Sequence, residues 1–207
     1  YYINMQDRKS ANRYLTSFAK LIRKNLDSSQ QMDTSLGEEL ERLKLYLSLE
    51  QMRFQEKFEY IIEIDPEIDV DALTLPAMML QPFLENSIWH GILPSDKHGK
   101  ILIRIVLGDG NYEIIIDDNG VGIDTSLNSK TSTHDAHVSQ GMNITLNRLR
   151  LYQNMTGLRY EVDGPFERKT QAGSTKGTRV IIRIPKKSTV PELKRNHPWK
   201  IRADEVL

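Results

Sequence analysis

The chain holds 207 residues, with 28 lysines and arginines set against 28 aspartates and glutamates, so its formal net charge is zero. That balance excludes a general binder of nucleic acid or of anionic membrane surfaces, both of which draw on excess positive charge. There is no cysteine, which excludes a disulfide framework and a thiolate metal site and suits a reducing, intracellular setting.

The length suits one large domain, or one domain with a helical appendage. No apolar run approaches the roughly 20 residues of a membrane helix. Residues 1–7 lack the basic region and apolar stretch of a signal peptide. The first residue is not methionine, and we expect a piece of a longer protein.

Leu15, Phe18, Ile22 and Leu26 recur at three- or four-residue steps and predict an amphipathic helix over residues 11–26. Residues 27–34 read as a polar linker. Ser35-Leu36-Gly37-Glu38 has the form of a capping box, in which the hydroxyl caps one end and the glutamate reaches back. Behind it Leu36, Leu40, Leu43, Leu47 and Phe54 make one helical stripe. Both helices have narrow apolar faces, suited to pairing or to docking on a domain.

At Lys57 the period changes. Residues 58–64 read as a strand ended by Asp65-Pro66, and Leu75-Pro76 is placed at the first turn of a helix that stops near Gly91. Residues 101–107 and 112–117 predict two strands joined by Gly108-Asp109-Gly110-Asn111, a hairpin signal. Residues 124–138 are rich in serine, threonine, asparagine and histidine and read as a mobile loop. A helix over 141–154 and strands over 158–162 and 178–184 follow, and the tail from Lys186 has little periodicity. This order predicts an α+β sandwich, with a mixed and largely antiparallel sheet carrying helices on one face.

Three short stretches, far apart in sequence, carry chemistry. Leu84-Glu85-Asn86-Ser87-Ile88-Trp89-His90-Gly91 supplies an amide oxygen and an imidazole. Asp117-Asp118-Asn119-Gly120-Val121-Gly122 ends an apolar run with carboxylates, then two glycines that let the backbone turn and approach a flat ligand. Lys176-Gly177-Thr178 leads the last strand. Each alone has an ordinary structural reading: a capping asparagine, a packing histidine, a strand-end turn, a β-branched strand residue.

Taken in order, Asn86…His90, Asp118-x-Gly120-x-Gly122, Ser139-Gln140-Gly141-Met142 and Gly177-Thr178 resemble the GHKL superfamily of ATP-binding domains, which includes gyrase and the sensor histidine kinases. Within it the chain is similar to the LytS/YehU-type sensor histidine kinases. The residues that carry this likeness are Glu38-Glu39-Leu40-Glu41-Arg42-Leu43-Lys44-Leu45-Tyr46-Leu47-Ser48-Leu49-Glu50-Gln51-Met52-Arg53-Phe54 and Leu75-Pro76-Ala77-Met78-Met79-Leu80-Gln81-Pro82-Phe83-Leu84-Glu85-Asn86.

The resemblance implies a Bergerat-type fold and ATP with Mg2+ as ligands. It assigns the magnesium to Asn86, the adenine amino group to Asp118, and close passage of the purine to Gly120 and Gly122. His90, Ser139, Gly141 and Met142 fall on the phosphate side, with Gly141 expected to open a helix whose free N–H groups face phosphate. Thr178 is expected to support Asp118, while Asp117 stays structural on the opposite strand face. The loop 124–138 becomes a lid over the nucleotide.

Three departures sharpen these expectations. Trp89 stands where many relatives have a lysine, Ser139 replaces a glycine, and Ile144 replaces an asparagine. Pro82 occupies the place of the glutamate that serves hydrolysing members as base, which disfavours hydrolysis. None of His90, His98, His134, His137 and His197 lies in the family's Asn-Pro-His-Phe context. The phosphoacceptor is therefore expected just upstream.

The expected division is residues 1–56 as a dimerisation remnant, 57–186 as the ATP-binding domain and 187–207 as a tail. The expected partners are a response regulator and, in the full-length protein, a second copy through the N-terminal helices, with no nucleic acid. Any membrane attachment would lie upstream, making this the cytoplasmic part of a bacterial inner-membrane protein. The competing readings are a non-catalytic nucleotide-binding module, a GHKL-type ATPase and an anti-sigma-type serine kinase.

Overall fold

The computed structural model describes residues 8–123, 133–169 and 175–186. Helix α1 spans Arg8–Ser29, with Leu21 its buried residue. Lys24 of α1 meets Glu41 at 2.8 Å. The stripe of Leu15, Phe18, Ile22 and Leu26 is exposed.

The expected linker contains a short strand, β1 (Asp33–Ser35), paired antiparallel with β3 (Thr74–Pro76). Leu75-Pro76 is thus extended and does not open a helix. A residue before proline is driven out of the helical region, and Leu75 is fully buried.

Helix α2 (Leu36–Arg53) begins at the capping Ser35, whose hydroxyl oxygen accepts the Glu38 N–H at 3.1 Å. The Glu38 carboxylate accepts the Thr34 hydroxyl at 2.6 Å. The buried face of α2 is broader than a stripe, adding Glu39, Arg42, Tyr46, Leu49 and Glu50 to the expected leucines. Two left-handed residues, Gln55 and Glu56, end it.

Five strands form the main sheet in the order β2-β4-β5-β7-β6. They are β2 (Phe58–Ile64), β4 (Gly99–Leu107), β5 (Asn111–Asp118), β6 (Glu161–Lys169) and β7 (Thr175–Pro185). The β2–β4 pair is parallel and the rest antiparallel, which confirms the mixed α+β fold.

Because side chains alternate along a strand, Ile101, Ile103, Ile105, Ile114, Ile116, Val180, Ile182 and Ile184 share one face and are buried. Ile88 and Ile92 pack with that face, and Leu36, Leu40, Leu43 and Leu47 of α2 join the same hydrophobic core, α2 meeting the sheet at its edge strand β2. The other face carries ion pairs, Arg183 with Glu113 at 2.9 Å among them.

β6 starts and ends later than expected. Gly164-Pro165 breaks its apolar pattern, and the register shifts between Asp163 and Phe166; an edge strand tolerates both.

Helix α3 (Gln81–Asn86) runs directly into a π-helical turn, Ser87–Ile92. Helix α4 spans Thr133–Thr156. The expected loop therefore stops short of Thr133, and Gly141 lies inside α4. Thr133 and Asp135 are residue types that favour a helix start.

Tyr152 of α4 donates to Asp33 at 3.1 Å and Arg148 to the Ala77 carbonyl at 2.9 Å, tying α4 to the small ribbon. Residues 124–132 of the expected lid and the tail 187–207 lie outside the described residues. Among the described residues no helix is long and apolar enough to cross a membrane.

Candidate functional site

Strand parity sorts the two aspartates that end β5. Asp117 follows Ile115 onto the outer face, where its carboxylate meets Arg179 at 2.6 Å and Arg104 at 3.3 Å. Asp118 follows Ile114 and Ile116 onto the helix-covered face and is 1% exposed. One residue of register thus decides which carboxylate is held by arginines and which looks into the layer between sheet and helices.

Asp118 collects four donors there. Its Oδ1 accepts the Gly120 N–H at 2.8 Å and the Thr178 N–H at 3.1 Å. Its Oδ2 accepts the Thr178 hydroxyl, and the Ser87 hydroxyl also bonds the carboxylate. Burial is the largest influence and holds the carboxyl above its ordinary range, while those donors pull it back down. Thr178 stands beside Asp118 because β7 is the neighbour of β5. The two hydroxyls can turn to accept as well as donate, so the carboxylate can take another donor in exchange.

Glycines set the walls around this group. A Cβ on Gly120 would collide with the Gly91 backbone, and one on Gly177, at φ +90°, with the Asp118 carbonyl. A Cβ on Gly91 would come within 3.1 Å of Asp118 Oδ1. The Val121 N–H donates to the Gly91 carbonyl at 2.9 Å, stitching the turn after β5 to the π-turn. Asn119 holds the other side, donating to the His98 carbonyl and accepting the Lys100 N–H at 2.6 Å.

Asn86 ends α3 and His90 follows four residues on, both half-buried. Residues four apart share a helix face, whereas their sequence neighbours Glu85 and Trp89 turn aside. Glu85 accepts from Gln81 at 2.8 Å, and burial raises its carboxyl above the usual range. Trp89 packs edge-on against Phe54, ring centroids 5.3 Å apart, with Arg53 over its face at 5.0 Å. Trp89 thus turns to α2 and away from Asp118.

Of the remaining sequence-predicted residues, Gly122 is left-handed at φ +85° in the turn after β5. Gly141 and Met142 lie within α4, and Met142 packs against the core. Gly141 therefore offers no first-turn N–H groups. The Ser139 side chain lies outside the described residues.

The structure adds Ser87, Gly91 and Gly177 to the Asp118 cluster. Gly91 carried a readable signal, since glycine inside a helical stretch costs about 1 kcal/mol and needs a packing reason. Ser87 carried none. The π-turn Ser87–Ile92 was not legible either, though such turns gather at functional sites.

Two family models match the chain. One described as histidine kinase covers residues 1–58, and one described as histidine kinase-, DNA gyrase B-, and HSP90-like ATPase covers residues 71–188. Sensor protein LytS of Staphylococcus epidermidis is 30% identical over 195 residues, 90% of this chain and 30% of that protein. Sensor protein LytS of Oceanobacillus iheyensis is 34% identical over 122 residues, 58% of this chain and 20% of that protein. The chain thus spans a fifth to under a third of these curated relatives. The catalytic domain of histidine kinase ThkA overlays with a TM-score of 0.45 at 17% identity, covering 74% of this chain and 94% of that one; that likeness carries no further argument.

Proposed function

Because the chain belongs to the histidine kinase-, DNA gyrase B-, and HSP90-like ATPase family, we propose that it is the ATP-binding catalytic region of a two-component sensor histidine kinase. The observation that carries this reading is the buried Asp118 carboxylate, supported by Thr178 and walled by glycine backbone. Such a group accepts the adenine amino group in exchange for a hydroxyl and disfavours guanine, which presents a carbonyl there. Gly120 and Gly122 leave room for the purine beside the turn.

Asn86 is the proposed magnesium ligand. Among the described residues no cluster of three or more acidic, histidine or cysteine side chains could hold a metal. The Asn86 amide oxygen suits a hard cation that keeps several waters and takes few protein ligands beside phosphate. Magnesium, when bound, neutralises charge on the ATP phosphates. His90 lies on the same helical face as Asn86, toward the phosphates. Ser139, Gly141 and Met142 are assigned to the phosphate side by the family pattern, Gly141 through its lack of a side chain.

Hydrolysis lacks a base in this arrangement. Pro82 has no proton acceptor, and Glu85 is bonded to Gln81 on another face of α3. The phosphoryl group is therefore passed to a histidine that none of the five present here represents, and onward to an aspartate of a response regulator. In this reading residues 57–186 carry the nucleotide, and 1–56 lead in from a dimeric, membrane-attached sensor on its cytoplasmic side. Trp89 favours one competing reading, a nucleotide-binding module without transfer, because no cation takes that position.

Titration with ATP and GTP analogues tests the assignment. Asp118→Ala removes a charge-assisted hydrogen bond of about 1.5–3 kcal/mol, so ATP-analogue affinity should fall about 10- to 150-fold. The GTP analogue should bind weakly to both proteins. Equal affinity for the two nucleotides in the unaltered chain would refute the adenine assignment. Steady release of phosphate from ATP would contradict the transfer reading, and a folded chain with no nucleotide affinity would reject both.

A further inference from the structure

The residues of α2 that face α3 are polar and buried, which a purely cohesive packing would not require. Glu39 and Arg42 form an ion pair at 2.6 Å whose side chains are 0% and 2% exposed. Glu39 accepts the Leu80 N–H at 3.0 Å and the Met78 N–H at 3.3 Å. Leu80 is the residue that opens α3, and no side chain of its own segment caps it. A carboxylate from α2 therefore does the capping, and Met78 is left-handed at φ 62° to present its N–H.

The contact continues along both helices. Arg42 Nη1 donates to the side-chain Oε1 of Gln81 at 2.5 Å, and Gln81 Nε2 donates to Glu85 at 2.8 Å. One turn further, Trp89 bonds the Tyr46 hydroxyl and is clamped by Phe54 and Arg53. Gln81, Glu85 and Trp89 are spaced by four and form one stripe facing α2. Asn86 and His90 lie one residue after Glu85 and Trp89, hence on the adjoining face. A rotation of α3 about its axis moves both faces together.

We propose that Gln81 is a positioning residue for the magnesium site: through Arg42 and Glu85, helix α2 sets the roll of α3 and thus where the Asn86 amide oxygen stands. This rests on the reading of Asn86 as the magnesium ligand. Outer-shell groups that orient a ligand act in this way. α2 becomes the brace through which α1, linked to it by Lys24–Glu41, influences metal binding without touching nucleotide.

The test is titration of magnesium chloride into the chain with a non-hydrolysable fluorescent ATP analogue, alongside the same analogue in chelator, with melting temperatures recorded. In the unaltered chain magnesium should tighten the analogue, and Asn86→Ala should abolish that response. Gln81→Leu, at a half-exposed site of similar volume, should weaken apparent magnesium affinity by about 10- to 100-fold, the range seen for outer-shell residues, with chelator affinity unchanged. Gln81→Glu keeps an acceptor for Arg42 but loses the donor to Glu85, so it should recover only part of the response.

If Gln81→Leu matches the unaltered chain in both arms, or loses affinity equally in both with a lowered melting point, the proposal is overturned while the role of Asn86 stands. If Asn86→Ala responds to magnesium as the unaltered chain does, the ligand assignment fails and the proposal with it.

Discussion

At the scale of single residues, much of the site follows from strand parity. Asp118 and Asp117 are chemically identical and adjacent, yet a two-residue period sends one to the arginines of the outer face and the other under the helices. In sequence that separation came from the resemblance, which places the adenine carboxylate at Asp118; Ile114-Ile115-Ile116 is apolar at both parities and marks no buried face. What was not legible is the company Asp118 keeps, since Ser87 and Gly91 arrive from another element. Burial raises the Asp118 carboxyl, and the adenine amino group needs the ionised acceptor. Nucleotide affinity should therefore be present above that raised value and be lost as pH falls through it. Titration of an ATP analogue across acid pH checks this; an affinity flat with pH above the ordinary carboxylate range would count against the role of Asp118.

Elements show where periodicity informs and where it does not. The strands β2, β4 and β5 were readable as short apolar runs bounded by turn residues, and α2 by the spacing of its leucines. The β1–β3 ribbon was not, since three-residue strands carry no period and Pro76 suggested a helix start. Nor could the partner of Trp89 be read: its ring is claimed by the end of α2, a contact between residues 35 apart in sequence. The same long-range logic governs Glu39 and Arg42. Removing one partner of a buried ion pair leaves an uncompensated charge, so Glu39→Ala should lower folding stability by about 3–5 kcal/mol in a urea titration. A loss under 1 kcal/mol would show that α3 is not held by α2.

Over the whole molecule, the α+β class was legible from the order of elements, whereas the sharing of one core by α2 and the sheet was not. A helix with an apolar stripe looks the same whether it pairs with another helix or joins the core at the edge of a sheet. The helices packed around that core bury carboxylates. The Glu50 and Glu85 carboxyls are both raised by burial, and Glu50 Oε2 has no hydrogen-bond partner among the described residues.

A carboxylate raised by folding binds protons more tightly in the native state. Its stabilising contribution is complete below the unfolded value and disappears as pH rises through the native one. Melting temperatures of the unaltered chain and Glu50→Gln should coincide near about pH 4, the ordinary range of a glutamate. The unaltered chain should then fall behind the variant as pH rises through the Glu50 value. Parallel melting curves from acid to neutral pH would contradict a buried, proton-linked Glu50.

The account turns on a purine nucleotide bridging the carboxylate at the end of β5 and a cation at the end of α3. Its most direct measurement is calorimetric titration of the chain and its Asn86→Ala/Asp118→Ala double variant with an ATP analogue and magnesium, after circular dichroism shows both folded. The account predicts saturable binding by the unaltered chain and no measurable heat from the double variant. Equal affinity in the two proteins would contradict it.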